Sequence, residues 1–359
     1  MNAGWREARN ILCIRLDYLG DVLMCTPAMR ALRDAVPGRR LTLLSSPGGA
    51  ALLPHVPELD AALPFEAPWM KSSRPQDAAA LLAMADLLRA RRFDAAVIFT
   101  TYSQSALPAA MLCHLAGIPL RLAYCRENPY QVLSDWASET EPLQPPRHEV
   151  RRQLDLVATV GATTVDERLS FAVPPADLDW ARERLAAIGI CPQQPWLLMH
   201  PGATAPSRRY PPELWAAALR LLAADGLPVV FTGSGDEGLL VDAIRAQAGV
   251  PAHSLAGEAT LGQLGALISL ATVMVSNNTG PAHIAAARGT PLVDLYALTN
   301  PQHTPWQTPS RVLFHDVPCR DCYKSVCPMG HHDCLRKVAP DRVADAVRSL
   351  LVEAVRSPS

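Results

Sequence analysis

The chain has 359 residues, enough at roughly 150 residues per domain for two domains that each bury a core. Hydrophobic residues make up 49% and charged residues 19%, a globular balance that excludes disordered and fibrous classes. Lys+Arg is 33 against Asp+Glu 34, and a net charge of −1 argues against a strongly basic nucleic-acid binder.

The opening, MNAGWREARN, runs directly into a strand-like ILCIRL and lacks the apolar stretch of a signal peptide. No apolar run reaches the ~20 residues of a membrane span. Nine cysteines without an export signal read as reduced thiols, so the expected location is cytoplasmic, with any inner-membrane contact peripheral.

Along the chain, apolar runs alternate with helical patterns. ILCIRL (11–16) leads to a helix near 20–35, LTLLSS (41–46) follows, and AAVIF (95–99) leads to a helix near 104–116, with a further helix near 148–160. The alternation pauses at 172–195, where Pro174, Pro175, Pro192 and Pro195 read as a linker. It resumes with WLLMH (196–200), a helix at 212–224, PVVFT (228–232), a helix at 237–248, ATVMVS (271–276), a helix at 281–288 and PLVDLY (291–296). Strands alternating with helices predict α/β domains with parallel sheets. The expected division is 1–173, 174–339 and a last amphipathic helix from 340 to 359. Ligands in such sheets sit at the carboxyl ends of strands, so the loops there carry the functional reading.

The first loop is Arg15-Leu-Asp17-Tyr-Leu-Gly20-Asp21. Asp21 falls at a helix start, where a carboxylate serves as a cap or, at the mouth of a site, as a proton acceptor for a substrate hydroxyl. Asp17 is a second candidate. The second loop, His200-Pro-Gly202-Ala-Thr204-Ala-Pro-Ser207-Arg208-Arg209, places two hydroxyls beside two guanidiniums, which suits a diphosphate or a solvated surface. The third, Asn277-Asn278-Thr279-Gly280-Pro281-Ala-His283, ends a strand and opens a helix, so its amides suit an anion. His283 reads equally as a ligand contact or a core histidine.

Two further features compete for attention. Gly233-Ser-Gly235-Asp236-Glu237-Gly238 fits the dinucleotide pattern G-x-G-x-x-G, but Asp236 and Glu237 would repel a pyrophosphate. Hydrogen bonding to ribose hydroxyls is their better use, and a nucleotide-dependent oxidoreductase is the rival reading. Cys319, Cys322, Cys327 and Cys334, with His331 and His332, read as a structural Zn²⁺ or Fe–S site or as packed or redox-active thiols. Arg89, Arg91 and Arg92, and Arg147, Arg151 and Arg152, read as solvated surface or as contacts to anionic lipid or acidic core sugars.

Together IRLDYLGDVLMCTPAMRAL, MHPGATAPSRRYPPELW, VVFTGSGDEG and NNTGPAHIAAARGTPLVDLY resemble glycosyltransferase family 9, the heptosyltransferases of lipopolysaccharide core synthesis. The resemblance implies a GT-B fold: two Rossmann-like domains facing a cleft, acceptor on the first, nucleotide sugar on the second, with the final helix packing back on the first domain. It also implies inversion without a catalytic metal or other required cofactor. Asp21 matches the proposed general base and Arg208, with Arg209 and Thr204 beside it, the donor-phosphate position. Asp236 or Glu237 matches the ribose contact, and Thr279, Gly280 and His283 the turn near the donor. Asn278 stands where the family has an acid. The implied donor is ADP-heptose, with another nucleotide sugar as the alternative. The implied acceptor is a lipid-linked glycan, approached by the irregular loops at about 65–80 and 124–147.

Overall fold

The computed structural model describes residues 3–71 and 77–356, so residues 72–76 of the expected acceptor loop and 357–359 of the last segment lie outside the described residues. Contacts divide the chain into two compact units, Met1–Ala172 and Val173–Ser359.

The first unit holds β1 (Asn10–Ile14), β2 (Arg40–Ser45), β3 (Ala61–Pro64), β4 (Ala95–Ile98), β5 (Leu120–Cys125) and β6 (Asp135–Ser138). They form a parallel sheet in the order β3-β2-β1-β4-β5-β6. The second unit repeats the pattern with β7 (Leu197–His200), β8 (Val229–Phe231), β9 (His253–Ser254), β10 (Val273–Asn277), β11 (Leu292–Leu295) and β12 (Ser310–Leu313), ordered β12-β11-β10-β7-β8-β9. Each sheet reverses its winding beside its first strand, between β1 and β4 and between β7 and β10. A doubly wound sheet opens its ligand crevice there.

The central strands are largely apolar because helices cover both faces. β4, β7 and β11 are buried along their whole length. Edge strands are less legible: β6 alternates half-buried with exposed residues and β9 has 2 residues, so neither stands out as an apolar run.

The 172–195 stretch is not a bare linker. Pro175–Ala187 is a helix with proline in its first turn, and it buries Ala181 and Leu185 beside the Leu261–Leu270 helix. Proline suits a helix start, where its missing N–H is not needed. The last helix is Pro340–Arg356. Its stripe of Val343, Ala344, Val347 and Leu350 packs into the core of the second unit, where the helix runs against the Pro212–Ala224 helix. No helix among the described residues is long and apolar enough to cross a membrane.

Candidate active site

In the first unit the loop leaving β1 is organised around a buried cation. The Arg15 guanidinium is fully inaccessible and pairs with three carboxylates: Asp17 at 2.9 Å, Asp21 at 3.1 Å and Glu149 at 2.7 Å. Burial opposes the charge of Arg15, but the three acids outweigh it and raise its pKa further. Glu149 opens the Glu149–Ala158 helix, and Gln153, one turn along, donates to Glu149 Oε1 at 2.8 Å and to the Thr100 carbonyl at 3.0 Å. The Arg15 Nε approach to Asp17 is close but lacks hydrogen-bond alignment. Gln104 Nε2 donates instead to Asp17 Oδ1 at 2.7 Å. Burial pushes the Asp17 carboxyl up to about 6; Arg15 opposes this and the neighbouring Asp21 adds to it.

Asp21 combines the two roles open in the sequence. It sits in the first turn of the Leu19–Leu23 helix and accepts from the Tyr18 N–H at 3.3 Å. Its side chain remains 26% accessible. A carboxylate oriented by a buried guanidinium and a cap amide, with part of its side chain accessible, is placed to accept a proton.

The arginines read as lipid contacts in the 147–152 segment are committed elsewhere. Arg152 is buried and pairs with Glu139 and Glu141, Arg147 with Glu141 and Asp155, and Arg151 with Glu167. These ion pairs fasten the Glu149–Ala158 helix, from which Glu149 reaches Arg15.

In the second unit three loops meet at the ends of β7, β10 and β11. Arg208 closes the short turn Pro206–Arg208. Its Nε is buried without a hydrogen-bond partner, and its charge acts on Asp294 of β11. Asp294 is fully buried with Oδ1 unbonded, and burial pushes its carboxyl up to about 8 against the pull of Arg208. Nothing in PLVDLY marked Asp294 as more than a strand residue; a lone acid inside an otherwise apolar run was the available signal. Arg209 is exposed and spends its Nε on the Ala203 carbonyl at 2.7 Å, bracing its own loop. Thr204 is exposed on that loop.

The Asn277-Asn278 pair is architectural. Asn277 donates to the Pro201 carbonyl at 2.7 Å and accepts from the Tyr210 amide at 3.1 Å, tying β10 to the arginine loop. Asn278 donates to the Ala297 carbonyl at 3.0 Å and accepts from the Ala297 amide at 3.2 Å. A carboxylate could make only one of these two bonds, so the amide fits this position. The side chain expected at the donor is therefore committed to backbone. Thr279 is the extended N-cap of the Gly280–Arg288 helix, makes no side-chain cap, and leaves the helix amides facing the loop. His283 is buried in the first turns of that helix.

Glu237 and Asp236 also part company. Glu237 caps its own turn, accepting from the Ser234 amide at 2.8 Å, and lies so close over Gly202 that a Cβ there would meet its carboxylate at 2.0 Å. Gly202 is thus required by close approach rather than by turn geometry. Glu237 also stands 4.0 Å from His200 Nε2; burial lowers the His200 pKa and Glu237 partly offsets this. Asp236 is exposed. The glycine-rich turn follows β8, not the first strand β7 where a dinucleotide fold places it. This weighs against the oxidoreductase reading.

The cysteine segment straps the arginine loop. Among the described residues no group of three or more His, Cys, Asp or Glu side chains is placed to hold a metal, so the Zn²⁺ or Fe–S site expected at Cys319, Cys322, Cys327 and Cys334 does not fit. The hydrogen bonds of the segment run across to the arginine loop instead. Ser207 donates to the Lys324 carbonyl at 2.6 Å and to the Ser325 carbonyl at 3.0 Å, and accepts from His332 at 2.7 Å. Cys334 packs on the core, and burial, with Cys327 nearby, pushes its thiol up to about 11.

Comparison with known proteins bears on both units. A family model described as glycosyltransferase family 9 (heptosyltransferase) matches residues 81–332. Lipopolysaccharide heptosyltransferase 2 of Escherichia coli strain K12 is 26% identical, over 96% of this chain and 99% of the relative. A glycosyltransferase family 9 structure from Veillonella parvula superposes with a TM-score of 0.81 at 21% identity, covering 98% of this chain and 99% of that one. The structure of E. coli ADP-heptose lps heptosyltransferase II superposes with a TM-score of 0.72 at 24% identity, covering 96% and 99%.

Proposed function

The chain belongs to glycosyltransferase family 9 and is a glycosyltransferase of the GT-B fold, and from that premise we propose that it transfers a heptose from ADP-heptose to a hydroxyl of a lipopolysaccharide-core glycan, with inversion at the anomeric carbon. The names of its relatives support the donor and the pathway: they are lipopolysaccharide heptosyltransferases, one named for ADP-heptose. The observation that carries the chemistry is Asp21, fixed at the end of β1 by Arg15 and by its cap bond yet open to solvent.

In this reading Asp21 takes the acceptor hydroxyl proton as that oxygen bonds to the anomeric carbon and the bond to the diphosphate breaks. Negative charge moves onto the departing ADP. Arg208 and the amides at Thr279 and Gly280 stabilise it, a role that fixed cations and helix N-termini fill well. The chemistry asks for no metal, because the guanidinium and amides supply the positive field. The acceptor comes from a lipid-linked glycan, which places the enzyme on the cytoplasmic face of the inner membrane by peripheral contact.

The test pairs two variants with ADP-heptose. Asp21→Ala is expected to retain the thermal shift caused by donor and to lose at least 100-fold in turnover, the lower end for general-base loss. Arg208→Ala is expected to lose the donor shift. An Asp21→Ala enzyme with near-native turnover removes the proposed base. A larger melting shift with GDP-, UDP- or dTDP-sugars than with ADP-heptose replaces the donor.

A further inference from the structure

A cavity in the first unit lies beside Asp17, the carboxylate the mechanism does not use. It has a volume of about 350 Å³ and opens between the ends of β1 and β4, where that sheet reverses its winding. Small-molecule sites start at about this size. Asp17, Trp69, Phe99, Ser103 and Gln104 stand among its lining residues, and none of the described lining residues is Lys, Arg or His.

We infer that this cavity is the seat of an uncharged sugar ring of the acceptor, with Trp69 covering an apolar face of the ring and Asp17 and Gln104 reading its hydroxyls. The inference rests on the glycan acceptor proposed above and adds what kind of ring is admitted. A pyranose offers a C–H face and an equatorial rim of hydroxyls, so it is matched by an aromatic side chain beside fixed polar groups. Trp69 is half-buried, and its indole is braced edge-on by Phe65 at 6.1 Å. Gln104 is locked, donating to Asp17 at 2.7 Å and accepting from the Thr101 amide at 3.2 Å. Asp17 is pinned on two sides, yet a carboxylate has about four acceptor positions and keeps some for ligand.

The charge pattern selects neutrality. Arg15 is enclosed by Asp17, Asp21 and Glu149, so the cation is spent and the cluster carries more acid than base. A carboxylate or phosphate on the ring would meet Asp17 with no described cation in the lining to receive it. Asp17 is therefore a specificity-determining residue, separate from the base at Asp21.

The experiment uses the full chain and ligand-observed saturation-transfer NMR with the methyl glycosides of glucose, galactose and mannose, each paired with its C6 uronate. At least one neutral glycoside is expected to bind, with its uronate at least tenfold weaker. Trp69→Ala and Asp17→Ala, checked for native melting, should abolish the neutral signal, and Asp17→Asn should narrow the gap to the uronate. A uronate that binds as well as its neutral partner, neutral binding that survives Trp69→Ala, or no binding by any neutral glycoside overturns the inference. The donor shift with ADP-heptose is recorded on the same samples. Its loss with glycoside binding intact refutes the transferase reading alone, and the reverse refutes only the pocket.

Discussion

Removing the buried cation at residue 15 is the sharpest test of how the first unit holds its site. Arg15→Gln leaves Asp17, Asp21 and Glu149 together without the guanidinium that sits 2.7–3.1 Å from each. Breaking a buried pair from one side costs about 3–5 kcal/mol, because a charge is left uncompensated. Here three acids are stranded, so the expected loss at pH 7.5 is at least about 3 kcal/mol, a large part of the roughly 5–15 kcal/mol that holds a domain. The sign with pH follows from linkage. In the variant the folded state binds protons more readily than the unfolded chain, so stability rises as pH falls from 7.5 towards 5. In the wild type this cluster adds a smaller trend in the same direction through Asp17, raised to about 6, and Asp294 adds its own equally to both proteins, so the comparison is the difference between variant and wild type at each pH. Arg15→Lys should fall between the two, because an ammonium keeps the charge but cannot reach three carboxylates in one plane. Urea titrations followed by circular dichroism at pH 5 and 7.5 measure this. A loss under about 1 kcal/mol at pH 7.5, or an equal loss at both pH values, refutes the account of Arg15 as the organising charge.

Two further outcomes follow from the second unit. Asp294 keeps its proton to about pH 8 in the fold, so wild-type stability should fall by up to about 1.4 kcal/mol per pH unit between roughly pH 4 and 8. Asp294→Asn should match the wild type near pH 4 and exceed it by pH 8; parallel pH–stability curves for the two proteins would show that residue 294 does not titrate as argued. Asn278→Asp should cost about 1–3 kcal/mol in urea unfolding at pH 7, because a carboxylate cannot donate to the Ala297 carbonyl. Unchanged stability would mean that the amide is not committed to Ala297.

Several features were legible because they are local. β1, β7 and β10 announce themselves as apolar runs, and the loops after them carry Asp21, Arg208 and Thr279 in the order the chain meets them. A buried parallel strand needs continuous apolar residues, and a loop at its end needs Gly, Pro and capping side chains, so both are written in consecutive letters. The Asp21 cap was readable for the same reason: its partner is the amide of Tyr18, three residues away.

What escaped the sequence depends on residues far apart in the chain. Nothing near Arg15 in the chain marks it out; Glu149, 134 positions later, makes it the centre of a buried charge cluster. Glu237 and Asn278 read as ligand contacts, and only the fold shows Glu237 seated close over Gly202 and Asn278 bonded to the Ala297 backbone. The cysteine run had the letters of a metal site, but its backbone is drawn across to Ser207. The stripe on Pro340–Arg356 declared that the helix must pack, and only the neighbouring Pro212–Ala224 helix decided where. Periodicity and capping are set by neighbours along the chain, whereas burial, pairing and the protonation of Asp17 and Asp294 are set by whatever the fold brings alongside, and a single sequence does not carry that information.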